Sequence, residues 1–180
     1  MSDNDSGSMG SYKKFLAMIG TSMILMYVLM YLNSYDILRH ARFSETRLFM
    51  TLIMGAVMTL VMFLYMRGMY KNTRANVALV AGAVLLFIAA VWLVRSQITV
   101  TDVDYMEGMI PHHSIAILTS ERANIEDVRV RELADEITEA QHREIKEMEW
   151  LIQDIRANGS ATSQEEMDAR PVPAFSGTQE

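Results

Sequence analysis

The sequence has no cysteine, and only three prolines and nine glycines among its 180 residues. Without thiols it has neither a disulfide framework nor a thiolate metal centre, so any soft donor must be a thioether. Extracytoplasmic compartments oxidise thiols, and methionine and histidine are donors that escape that hazard, although methionine can itself go to the sulfoxide. Positive charge is in deficit: 16 Lys and Arg stand against 22 Asp and Glu, a net charge of −6. The polar part carries no basic stripe, which argues against nucleic acid as a partner. No glycine-rich phosphate loop occurs. Ser114 beside His113 finds no third member for a nucleophile–base–orienter set. Hydrolase, kinase and nucleotide-binding readings therefore have no footing.

Charge is missing altogether from three runs, Phe15–Leu32, Leu48–Met66 and Val77–Val94. Each is close to the roughly 20 apolar residues that cross a hydrocarbon core. No small-residue cleavage site follows the first run before Asn33-Ser34-Tyr35, so it reads as a retained span and not as a signal peptide. The lipid bilayer is thus the first expected partner. An N-inside arrangement places Lys13, Lys14, Arg67, Lys71 and Arg74 in the cytoplasm and Arg39, Arg42, Arg47 and Arg95 outside. The positive-inside rule then favours a protein of the cytoplasmic (inner) membrane with an extracytoplasmic, periplasmic C-terminal domain.

Methionine is what the chain has in quantity, with sixteen residues. Met50, Met54, Met58, Met62 and Met66 recur every four residues in the second run, and Met23, Met26 and Met30 lie in the first. A row of sulfurs suggests a soft-cation path. At about 3.6 residues per turn, however, a four-residue step overshoots by about 40°, so the row winds around its helix. Methionine is also an adaptable packing residue, Gly55, Ala78 and Gly82 permit close helix approach, and no ionisable residue lies within a run. Packing is the favoured reading.

The charge gathers after Val100. Thr101 with Asp104 is a capping-box-like helix start, and the helix is expected to run to about Ala123, kinked at Pro111 beside Gly108. Asn124–Asp127 reads as a turn. A second helix from Val128 to about Arg156 has Leu133, Ile137, Ile145, Met148 and Leu151 near helical spacing, and Ala157-Asn158-Gly159 stops it. The expected organisation is an unstructured segment 1–12, a membrane region 13–95, a hairpin domain 96–156 and an unstructured tail 157–180. The fold class is all-α. Two helices of this size bury little core alone, so a homodimer or higher oligomer completing a four-helix bundle is expected.

The candidate site opens the hairpin. Met106, Met109 and His113 share a helix face, and His112 lies about 100° away. On the second helix Gln141, Glu144, Ile145 and Met148 form one stripe, with His142 at its edge. Antiparallel closure would bring Met109, His112 or His113 towards Met148 and His142. Thioether with imidazole suits Cu(I) or Ag(I). Two competing readings stay open. Glu139-x-x-His142 with Glu107 would give, in a dimer, the ligands of a di-iron oxidase, with iron as cofactor. Alternatively the hairpin only associates, and its histidines pack or titrate.

The run Asp104-Tyr105-Met106-Glu107-Gly108-Met109-Ile110-Pro111-His112-His113, followed by Ala116-Ile117, resembles the signature of domain-of-unknown-function family 305. The second helix is similar through Leu133-Ala134, Ile137, Gln141, Glu144-Ile145, Met148 and Trp150-Leu151, so the resemblance covers about residues 102–155. It implies a ferritin-like helical bundle, often secreted or membrane-anchored, with some members linked to copper or silver binding and tolerance. Carried over by position, it implies Met109, His112, His113, Gln141, Glu144 and Met148 as site residues. A metal-transport or metal-chaperone partner is expected for a module that hands over its ion. Thr119 departs from the pattern, since members often carry methionine there.

Overall fold

The computed structural model describes residues 3–178. Among them the regular structure is entirely helical: α1 (Asp3–Leu29), α2 (Glu45–Met66), a short 3₁₀ turn (Arg67–Met69), α3 (Thr73–Ser96), α4 (Asp102–Arg122), α5 (Val128–Asn158) and α6 (Gln164–Ala169). The chain divides into two compact units. One holds α1, α2 and α3; the other holds Tyr31–Ser44 and the chain after Thr99.

In the first unit, three helices are long and apolar enough to cross a membrane, over Gly10–Leu29, Glu45–Met69 and Thr73–Ser96. The first stops three residues before Leu32, where the Arg47 guanidinium donates to the Met30 carbonyl (3.2 Å) and satisfies a helix-end acceptor. Residues 3–12, expected to lack structure, extend this helix, and residues 1–2 and 179–180 lie outside the described residues. Asn72 caps α3 by accepting from the Ala75 N–H (3.1 Å). The methionines wind as helix geometry requires: Met50 and Met54 are exposed. Met23, Met58, Met62 and Met66 pack against Tyr12, Phe15, Ile19 and Tyr70. Gly55 lets α1 approach, since a Cβ there would overlap Met23 Sδ.

In the second unit, α4 and α5 form an antiparallel hairpin. Its register is given by Glu121–His142, His113–Glu144 and Glu107–Arg156, whose numbers fall on α4 as they rise on α5. The capping box is present: the Asp104 carboxylate accepts from the Thr101 N–H (3.1 Å) and Thr101 Oγ1 from the Asp104 N–H (3.4 Å). Helix α4 is continuous across Pro111, whose ring is fully buried. Asp127 caps α5 (2.9 Å to the Arg129 N–H), and Gly159 at φ 81° ends it in a conformation that glycine adopts without strain. Met106, Ile110, Ile117, Ile145, Met148 and Ile152 make the core.

The tail after Gly159 is more ordered than its composition suggests. Ser163 caps α6, Arg170 pairs with Asp154 (2.7 Å), and Lys146 donates to the carbonyls of Ser176 and Thr178 (3.2 and 3.0 Å). Polar anchors on α5 replace the apolar burial that the tail lacks.

Candidate metal centre

Helix α4 carries His113 inward, into the seam with α5. The side chain is 11% exposed, and each ring nitrogen has a partner. Nδ1 lies 3.0 Å from the carbonyl oxygen of Met109 one turn earlier, and Nε2 lies 2.8 Å from Glu144 Oε2. A carbonyl only accepts, so Nδ1 carries a hydrogen and donates it. This fixes the ring and leaves Nε2 as the nitrogen turned towards the facing helix. Because Nε2 meets a carboxylate oxygen, the contact is made through one proton. Gln141 Nε2 also approaches Glu144 Oε2 (3.5 Å).

The sulfurs lie on the same seam. Met106 and Met148 are buried in the core, and Met109 packs partly buried against it. Met109 thus packs against the cluster that includes Met148, and His113 meets Glu144, four residues before Met148 on α5. His112 is exposed, with its ring centroid 6.3 Å from that of His113. Adjacent helical residues point about 100° apart, so the pair does not converge.

His142 also stands apart from His113. Its ring meets Tyr35 edge-on (5.8 Å between centroids), and its Nε2 is buried without a hydrogen bond, 3.9 Å from Glu121 Oε1. Glu139 lines the same depression as His142 and Glu121. Glu107 is held elsewhere, in an ion pair with Arg156 (2.7 Å). Arg156 is fourteen residues along α5 from His142, about 20 Å at a rise of roughly 1.5 Å per residue. Within one hairpin the Glu-x-x-His pair and Glu107 thus lie at different levels. Among the described residues no three His, Asp or Glu side chains converge as a metal cage. What α4 and α5 bring into contact is one imidazole and one carboxylate, in a hairpin whose core also holds Met106 and Met148.

The sequence reading missed the segment between the first two apolar helices. Tyr31–Ser44 belongs to the hairpin's unit and buries three polar side chains, Ser34, His40 and Ser44. Tyr35 donates its N–H to Ser114 Oγ (2.8 Å), and His40 Nδ1 lies 2.9 Å from the same oxygen. Arg39 and Arg42 both reach Glu149 (3.3 and 3.4 Å). Asp36 turns the segment by accepting from the Leu38 and Arg39 N–H groups (3.1 and 2.9 Å), which hold its carboxyl below the usual range, the Arg39 bond most of all. Tyr35, Asp36, Arg39 and His40 with His142, Ile145, Lys146 and Glu149 enclose a cavity of about 250 Å³. A signal was available: if all three apolar helices cross a membrane, this segment and the C-terminal region emerge on the same side.

Residues 102–179 match a family described as a domain of unknown function (DUF305). An uncharacterized protein of Acanthamoeba polyphaga mimivirus is 28% identical over 142 residues, covering 76% of this chain and 91% of that protein. That similarity is longer than the family segment and takes in part of the apolar helical region. No solved structure matches the chain.

Proposed function

We propose that this protein is anchored in the cytoplasmic membrane by its three apolar helices and binds a soft metal ion, Cu(I) or Ag(I), in its hairpin on the extracytoplasmic side. Its task is to buffer the ion or hand it to a transport or chaperone partner in metal tolerance. The observation that carries the reading is the setting of His113. The Nδ1–H···O=C bond to Met109 is the outer-shell contact that orients an imidazole for ligation through its other nitrogen. That other nitrogen faces Glu144, on the seam where Met106, Met109 and Met148 gather.

The donors fit a soft ion of low coordination number better than a hard one. Thioethers prefer Cu(I), imidazole accepts it, and too few oxygen donors converge for a cation that needs six. An ion entering the seam displaces the proton held between His113 and Glu144, so binding releases protons and weakens in acid. Met109 and Met148 supply sulfur, His113 supplies nitrogen, and Glu144 with Gln141 steadies the second helix. His112, exposed on the adjacent face, is placed to meet the partner that delivers or collects the ion. His142 is outside this set.

The test is a Cu(I) titration of the full chain in detergent against a competing chelator, with Zn(II) and Fe(II) in parallel. Selective Cu(I) binding that weakens by about tenfold or more in Met109→Leu/His113→Ala supports the reading. Unchanged affinity in that variant overturns it, and oxygen-dependent absorbance with Fe(II) turns the assignment to the di-iron alternative. A second reading, association through the hairpin, is favoured by Val130, Leu133 and Ile137, which lie on one face of α5 at 48%, 55% and 37% exposure. The mass of the solubilised particle tests it.

A further inference from the structure

We propose that the segment Tyr31–Ser44 is a proton-operated latch, docked on α4 while His40 is neutral and released when His40 becomes doubly protonated. The segment grips α4 at two points. Near its C-terminal end, Ser44 lies against Gly108, where a Cβ would stand 3.2 Å from Ser44 Oγ. Nearer its start, Tyr35 and His40 share Ser114 Oγ at 2.8 and 2.9 Å, and the Tyr35 N–H also reaches the Ser114 carbonyl (3.3 Å). The two grips bracket the stretch of α4 that carries Met109, His112 and His113. The inference does not depend on that stretch binding a metal.

The chemistry of the Ser114 grip makes it sensitive to protons. Ser114 is fully buried and its oxygen already accepts from the Tyr35 N–H. A neutral His40 completes the grip either way, accepting the Ser114 hydroxyl hydrogen or donating its own. The doubly protonated ring loses that choice and sets a full charge on a residue only 7% exposed. Burial is the largest influence on His40 and pushes its pKa below the ordinary value. On its own segment Asp36 favours the charge and Arg39 opposes it; from α5, Glu149 favours it and His142 opposes it. Glu149 is already committed to Arg39 and Arg42, and Lys146 adds a further positive group at the cavity wall.

The sign follows. The undocked segment binds more protons than the docked one, so docking is fully present above the ordinary histidine pKa of about 6.5 and is lost as pH falls below it. One linked proton weakens docking by up to about tenfold per pH unit in that range.

The full chain in detergent is followed by amide hydrogen exchange, corrected for the intrinsic pH dependence, in peptides covering residues 31–44. Protection in the wild type is expected to fall between about pH 7.5 and about pH 5, by up to about tenfold per pH unit below about pH 6.5, and His40→Gln to flatten the profile. A second variant guards against misdocking in His40→Gln. The chain has no cysteine, and a Cβ at Gly108 lies 3.8 Å from that of Ser44, near the typical disulfide separation of about 3.8 Å. Oxidised Ser44→Cys/Gly108→Cys should therefore stay protected at both pH values and regain the pH step on reduction. A wild-type segment protected equally across the range overturns the proposal. So does a pH step that survives His40→Gln and vanishes in His142→Gln.

Discussion

Replacing Ser114 with alanine removes one oxygen from the middle of the second unit and changes the shape of α4 hardly at all. That oxygen serves two groups of the inter-span segment, the Tyr35 N–H at 2.8 Å and His40 Nδ1 at 2.9 Å. The Tyr35 N–H keeps a longer bond to the Ser114 carbonyl (3.3 Å), whereas His40 Nδ1 loses its contact to Ser114 Oγ. Leaving one buried polar group without its partner costs about 1–3 kcal/mol. At about 1.4 kcal/mol per factor of ten, a loss near 2 kcal/mol raises the undocked population of residues 31–44 by about thirtyfold. The α4–α5 core around Ile110 and Ile117 is untouched, so the loss appears as local opening and not as unfolding of the hairpin. Hydrogen exchange at about pH 7.5 reads it directly, with amides of residues 35–40 exchanging faster and those of α5 unchanged. Thr119→Ala is the control: its exposed hydroxyl bonds only the Ile115 and Ala116 carbonyls (both 3.0 Å). Equal protection of the segment in Ser114→Ala and Thr119→Ala would mean that the Ser114 oxygen does not hold it.

Two further outcomes follow from packing. Ile117 is fully enclosed in the hairpin core, so Ile117→Ala should destabilise that unit by about 2–5 kcal/mol, seen as a lowered midpoint in denaturant melts of its helicity; a loss below about 1 kcal/mol would mean the core is looser than its burial implies. Leu133 is 55% exposed on the Val130–Ile137 face, so if copies associate there, Leu133→Glu should reduce the solubilised particle to a monomer without lowering helicity. An unchanged mass would place any association elsewhere.

Much of the architecture was legible in the residue order because its causes are local or periodic. Charge-free runs identify the apolar helices, Thr101 with Asp104 marks the start of α4, and Gly159 marks the end of α5. Pro111 gave a partial signal: nothing in the residue order says that α4 stays continuous across it with the proline ring fully buried. Tail order was not legible either, because it rests on single pairs such as Arg170–Asp154, which leave no periodic trace.

For the candidate centre the division is sharper. From the residue order alone it follows that any soft donor is a thioether or an imidazole, that Met106, Met109 and His113 share a helix face while His112 does not, and that, if the three apolar runs all cross a membrane, the segment after the first lies on the same side as the C-terminal region. Those statements need only composition, helix pitch and a count of crossings. It takes the folded chain to show that His113 meets Glu144, that Glu107 is held by Arg156 about 20 Å from His142, and that His40 closes on Ser114. Each of these joins residues 31 to 74 positions apart, and such pairings are set by which apolar faces bury against each other, a property of the whole fold and not of any stretch of it.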